Sequence, residues 1–107
     1  MDLNKVSIGI KTFLRDPQLF NTIAAIRRTM PEVKMIIADC GEQTEEKSHL
    51  YDELSYDGHL CFTLPFDAGF GCMSNTIATA VTTPYLLIGS DDFDFNRVAI
   101  LIAPPEP

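Results

Sequence analysis

Apolar positions along the chain follow two rhythms that take turns. Val6-Ser7-Ile8-Gly9-Ile10 alternates large and small side chains and is rich in β-branched residues, which is the pattern of a strand. After Asp16-Pro17 the period lengthens. Leu19, Ile23, Ile26 and Met30 recur at helical spacing, with Asp16 placed to accept from the free first-turn amides and Pro17 suited to the first helical position. Pro31 stops that helix. Residues 33–38 form a short apolar run closed by Asp39-Cys40-Gly41, as a buried strand would be. Thr44 followed by Glu45 and Glu46 starts a second helix carrying Leu50, Tyr51 and Leu54, and so thin an apolar face predicts a helix that is wet along most of its length. Residues 59–64 read as a third strand ended by Pro65. Residues 71–82 read as a third helix with Met73, Ile77, Ala80 and Val81 on one stripe, and residues 85–89 as a fourth strand. A last apolar run, 98–103, precedes Pro104-Pro105-Glu106-Pro107.

Strand and helix in strict alternation predict an α/β fold, a three-layer α/β/α arrangement around a mainly parallel sheet with right-handed crossovers. Residues 1–107 are expected to form a single domain, with 98–107 a tail that adds a strand or pairs with a second copy. In such sheets ligands bind beyond the carboxyl ends of the strands. Those ends are Lys11-Thr12, Asp39, Pro65-Phe66-Asp67 and Ser90-Asp91-Asp92, all expected on one edge. The fourth is the most pointed, because the run Leu86-Leu87-Ile88-Gly89 ends in Asp91, Asp92 and Asp94. Carboxylates released together repel one another unless a cation, a hydrogen-bond donor or open water is close, so the cluster points to a divalent metal or simply to chain re-entering solvent. The loop Phe66-Asp67-Ala68-Gly69-Phe70-Gly71 leads into a helix start; its glycines either allow a ligand to approach closely or only shape the turn.

Composition narrows the function classes. At 107 residues, with 46 % hydrophobic and 21 % charged side chains, the chain is of ordinary globular type. No stretch has the length of a membrane span, and the start lacks the basic and apolar regions of a signal peptide, so cytoplasmic residence is the expectation. A formal net charge of -7 argues against a nucleic-acid backbone as partner, leaving small anions bridged by a metal. Cys40, Cys61 and Cys72 fit neither a disulfide framework nor a zinc pattern and read as free thiols.

Residues 6–15, 36–39, 64–69 and 84–95 together resemble the nucleotide-binding half of inverting family-2 glycosyltransferases of the GT-A fold, and within that group the branch that transfers N-acetylgalactosamine. The resemblance covers about the first 95 residues, in order and spacing. It implies a truncated GT-A-like domain that binds a nucleotide-diphospho-sugar, UDP-linked, through manganese or magnesium. Carried over position by position, it points to Thr12, Arg15 and Asp39 as nucleotide contacts. Asp67 would face the base, with Asn75 ordering the turn, and Asp91 would lie beside the nucleotide. The metal would be held by Ser90 and Asp92, or, two residues along, by Asp92 and Asp94.

Three departures qualify the resemblance. Serine stands at position 90 where the family commonly has the first of three acids, and Ser74 stands where an arginine often precedes the helix asparagine. Only twelve residues follow Phe95, too few for an acceptor-binding half with its catalytic base, and neither His49 nor His59 lies at a strand end. No catalytic residue is therefore assigned, and a complete transfer would need a partner chain or a second copy to supply the acceptor site. The competing reading is a non-catalytic binding module derived from such an enzyme. A receiver-type magnesium domain fits less well, because it gathers acids after its first strand, and here that strand ends in Lys11-Thr12.

Overall fold

A computed structural model of the chain describes residues 2–90, and of Ser90 only the backbone. The run 98–103 and the carboxylates Asp91, Asp92 and Asp94 lie outside the described residues. After a short 3-10 turn, Leu3–Lys5, the elements are β1 (Val6–Thr12), α1 (Asp16–Thr29), β2 (Lys34–Asp39), α2 (Glu45–Tyr56), β3 (Leu60–Thr63), α3 (Phe70–Ala80) and β4 (Tyr85–Ser90). β1 runs past the alternating stretch that foretold it because Lys11 and Thr12 continue in register with Ala38 and Asp39 of β2.

The four strands form one parallel sheet in the order β3-β2-β1-β4. The chain therefore steps outward from β1 to β3 and then crosses back to the far side of β1. Helices follow the same division. Leu19, Ile23 and Ile26 of α1 and Tyr51 and Leu54 of α2 pack on Val6, Ile8, Ile10, Met35 and Ile37, whereas Met73 and Ile77 of α3 pack on Ile36, Ala38 and Cys40 of the opposite face. This is the expected three-layer α/β class with a parallel sheet, consistent with part of a GT-A-like fold. Close approach on the α3 side depends on Gly9, since a Cβ there would lie 2.5 Å from Cγ2 of the fully buried Ile77.

Local signals worked out unevenly. Thr44 caps α2 as expected, its hydroxyl accepting from the Lys47 amide at 3.1 Å, and most of that helix is exposed. Asp16 does not cap α1. Arg15 takes the cap position without a side-chain bond, Asp16 is the first helical residue, and its carboxylate is drawn to a lysine of α2. α3 begins earlier than its apolar stripe implies, because Gly69 adopts φ 97° and turns the chain into the helix at Phe70.

Candidate functional site

Because all four strands run the same way, their carboxyl ends meet on one edge. The crevice of such a sheet lies where chain order reverses, here between β1 and β4. Lys11 of β1 is the register partner of Ser90 of β4, and Thr12 is the partner of Asp39 of β2, so three strand ends stand side by side. The loop after β3 joins them through its backbone. The Leu64 amide donates to the Asp39 carbonyl and the Asp67 amide to the Cys40 carbonyl, each at 2.8 Å.

The residues expected to bind differ sharply in their surroundings. Arg15 and Asp67 are exposed, and Asp67 holds a left-handed φ of 57°, unusual for a residue other than glycine. Asn75 is also exposed, further along α3, and the turn it was expected to order is held by backbone bonds, including Ala68 N–H to the Pro65 carbonyl at 3.0 Å. Thr12 is buried on the α1 and α2 side, its carbonyl accepting from the Cys40 amide at 3.2 Å. The Ser90 backbone reaches the edge, and Asp91, Asp92 and Asp94 fall outside the described residues. Among the described residues no group of three or more His, Cys, Asp or Glu is arranged to hold a metal. Aromatic surface lines the same edge. Phe66 and Phe70 are exposed, Phe66 meets Phe13 edge-on at 5.3 Å, and the Lys11 ammonium lies 5.5 Å from the Phe70 ring centre.

Asp39 is 0 % exposed and fully engaged. Its Oδ1 accepts from the Gly41 amide at 2.8 Å, and its Oδ2 accepts from the Tyr51 hydroxyl at 2.6 Å and pairs with Lys47 Nζ at 3.0 Å. Burial alone would raise its pKa, but the Tyr51 hydroxyl, the Gly41 amide and Lys47 outweigh that and hold it below its ordinary value. Lys47, also 0 % exposed, sits 2.8 Å from Asp16 Oδ1 and donates to the Glu42 carbonyl at 2.9 Å. Burial would lower the pKa of its ammonium, but Asp16 and Asp39 reverse the direction and keep it charged. The Tyr51 hydroxyl is pushed upward by burial and by Asp39, so it stays a donor.

Lys47 was not singled out from the sequence, and Tyr51 was read only as part of the apolar face of α2. A signal existed: Lys47, Tyr51 and Leu54 stand at i, i+4 and i+7, which places the lysine on the apolar face of α2. A separate cleft of about 530 Å³, lined by Arg27, Val33, Lys34, Asp57 and His59, opens at the other end of the sheet, where β2 and β3 begin. That cleft is remote from the convergent strand ends.

Comparison with known proteins identifies relatives of one kind. The mouse protein "Beta-1,4 N-acetylgalactosaminyltransferase 2" is 34 % identical over 102 residues, covering 92 % of this chain and 19 % of the relative. The human "Beta-1,4 N-acetylgalactosaminyltransferase 1" is 39 % identical over 91 residues, covering 85 % of this chain and 16 % of the relative, and its mouse counterpart is 38 % identical over the same length. The chain is homologous to one stretch of the beta-1,4 N-acetylgalactosaminyltransferases. It spans less than a fifth of the length of these relatives. No family model matches the chain, and no solved structure matches it. Homology to these transferases agrees with the resemblance carried by the strand-end motifs, and it covers the stretches that supply those ends.

Proposed function

We propose that the carboxyl edge of this sheet binds a nucleotide-diphospho-sugar with a divalent cation, manganese or magnesium, as the donor-binding part of a glycosyltransferase. The observation that carries this reading is the pairing of Lys11 with Ser90 across the switch between β1 and β4. It sets Ser90, the first residue of the Ser90-Asp91-Asp92-Phe93-Asp94 motif, beside the Lys11-Thr12 end of β1, and the loop after β3 runs into Phe70, whose ring lies under the Lys11 ammonium at the same strand end. Relatives named as N-acetylgalactosaminyltransferases support N-acetylgalactosamine as the sugar, and the family resemblance implies UDP as its carrier. Arg15, Asp67 and Asn75 are exposed, and of these Asp67 would face the base. Asp92, with Ser90 or Asp94, would supply oxygen ligands to the cation, which keeps waters and takes its other ligands from the diphosphate. Inverting transfer also requires a base and an acceptor site, which residues outside this chain or a partner would provide.

Thermal unfolding tests the proposal. UDP or a UDP-sugar at millimolar concentration with manganese should raise the midpoint relative to manganese alone, because a ligand selective for the folded state must stabilise it. Asp92→Ala should remove the increment while leaving the ligand-free midpoint in place. No shift with any nucleotide would sink the proposal. A shift that Asp92→Ala leaves intact, without sugar transfer or donor hydrolysis, would favour the non-catalytic binding module, to which Ser90 and Ser74 already lend weight.

A further inference from the structure

Three loops meet at the carboxyl edge, and one ammonium group ties them. Lys47 Nζ reaches Asp16 at the start of α1, which anchors the loop after β1; Asp39 at the tip of β2; and the Glu42 carbonyl in the loop after β2. The third loop is held at one remove, since the Asp39 and Cys40 carbonyls receive the Leu64 and Asp67 amides. We infer that Lys47 is a positioning residue that locks these three loops in the arrangement a nucleotide requires, and that Asp39 serves this clamp instead of touching the ligand. The inference rests on the nucleotide-binding reading above and deepens it.

Burial and occupancy carry the argument. A ligand atom reaching Asp39 would have to displace the Gly41 amide, the Tyr51 hydroxyl or Lys47 from a carboxylate that is 0 % exposed. Removing such a charge from all its partners is costly, whereas replacing a whole buried ion pair by apolar groups is often neutral or stabilising. Stability alone therefore gives little reason to keep a lysine at this position, and geometry gives one. Binding groups set on loops must be held by a supporting layer of hydrogen bonds if they are to meet a ligand without reorganising. Asp67, the exposed acid expected to face the base, owes its place to a backbone bond from the segment that Lys47 fixes.

The test uses the full chain as wild type, Lys47→Met, Asp39→Asn, the double variant and Asp16→Asn. Two readouts are needed, amide hydrogen exchange without ligand and affinity for manganese with UDP or ADP, each taken well below the variant's own unfolding midpoint. For Lys47→Met, exchange at the Gly41, Leu64 and Asp67 amides should rise by roughly tenfold or more, while strand centres such as Ile8 and Ile36 keep their protection. Affinity should fall by about tenfold for UDP and ADP alike, and the double variant should bind no worse than the weaker single one. A merely structural role would lower the midpoint and leave affinity unchanged at a temperature where the variant is folded. Unchanged exchange at all three amides would overturn the clamp, as would an Asp39→Asn variant that loses UDP selectively over ADP. If Lys47→Met does not fold, Asp16→Asn, on the more exposed partner, should give the same pattern at smaller amplitude, and no change there counts against the inference. A wild type that binds no nucleotide defeats the earlier reading, and the exchange result still decides the clamp.

Discussion

His59 shows how one side chain can set a pH response. It precedes β3, and its Nδ1 accepts the Met35 amide at 2.9 Å, so it replaces a backbone acceptor where the β2 and β3 ladder begins. Burial, then the nearby Arg27 and Lys34 charges, outweigh Asp57 and lower its pKa from 6.5. A base whose folded pKa is depressed contributes stability that is present above the unfolded value and lost as pH falls through the folded one. The unfolding midpoint should therefore decline as pH drops below 6.5, and His59→Gln, which keeps an acceptor without titrating, should flatten that slope. Asp39 is lowered from 3.8 and Lys47 raised from 10.5, so the stability of the buried cluster is lost only at more acidic or more alkaline pH and does not confuse the measurement. A steep midrange slope in the His59→Gln protein would refute the assignment. Thiols behave differently from one another: burial pushes Cys61 up to about 11, which leaves it protonated and inert at neutral pH, while Cys72 lies exposed on α3.

Elements were the most legible level of this chain, and the reasons are local. α1, β2 and α2 have clean periods bounded by Pro31, Gly41 and Thr44, residues whose backbone preferences or capping groups fix an end without help from distant contacts. Capping and charge rules missed the buried cluster for the same reason in reverse, although the spacing of Lys47, Tyr51 and Leu54 carried a trace of it. An aspartate before a helical run ordinarily caps it and a lysine in an acidic helix ordinarily faces water, so Asp16 and Lys47 each satisfied a local rule that a contact across the fold then overrode. The alternation implied right-handed crossovers but not which strands lie beside which, and the return of β4 to the outer side of β1 had no signature in any single segment. Of the candidate site, the convergence of strand ends could be read from the alternation alone. The depth of Asp39 could not, because it depends on α2 folding over β2. Packing between elements also yields a direct check. Gly9→Ala should destabilise the protein by about 1–3 kcal/mol in urea unfolding, because the new methyl group meets Ile77, a β-branched and fully buried side chain with little room to yield. An effect near zero would mean that α3 rides more loosely on the sheet than this contact implies.

Charge acts on the whole molecule. A chain with net charge -7 repels a nucleoside diphosphate at long range, and under the proposed function a divalent cation would reverse that field locally. Residual UDP binding without metal should accordingly strengthen when ionic strength rises from about 0.02 to about 0.2 M, whereas the metal-dependent component should not. Calorimetric titration at the two salt levels checks this, and metal-free binding that weakens with salt would point to a positive patch instead.

The order of the strands has a last consequence, for the time course of synthesis. Of the four described strands β1 is made before the other three, and it lies inside the sheet, flanked by β2 on one side and β4 on the other. Its second flank is filled only when Tyr85 and the residues after it arrive to pair with Val6 and its neighbours. Until then a nascent chain that has already built β1, β2 and β3 exposes a row of unpaired amides and carbonyls along its oldest strand, open to any other extended chain. Parallel pairings of this kind close slowly, since each must wait for a distant partner. A growing polypeptide with this topology is thus most vulnerable to aggregation just before β4, the strand that covers the open flank of β1, emerges.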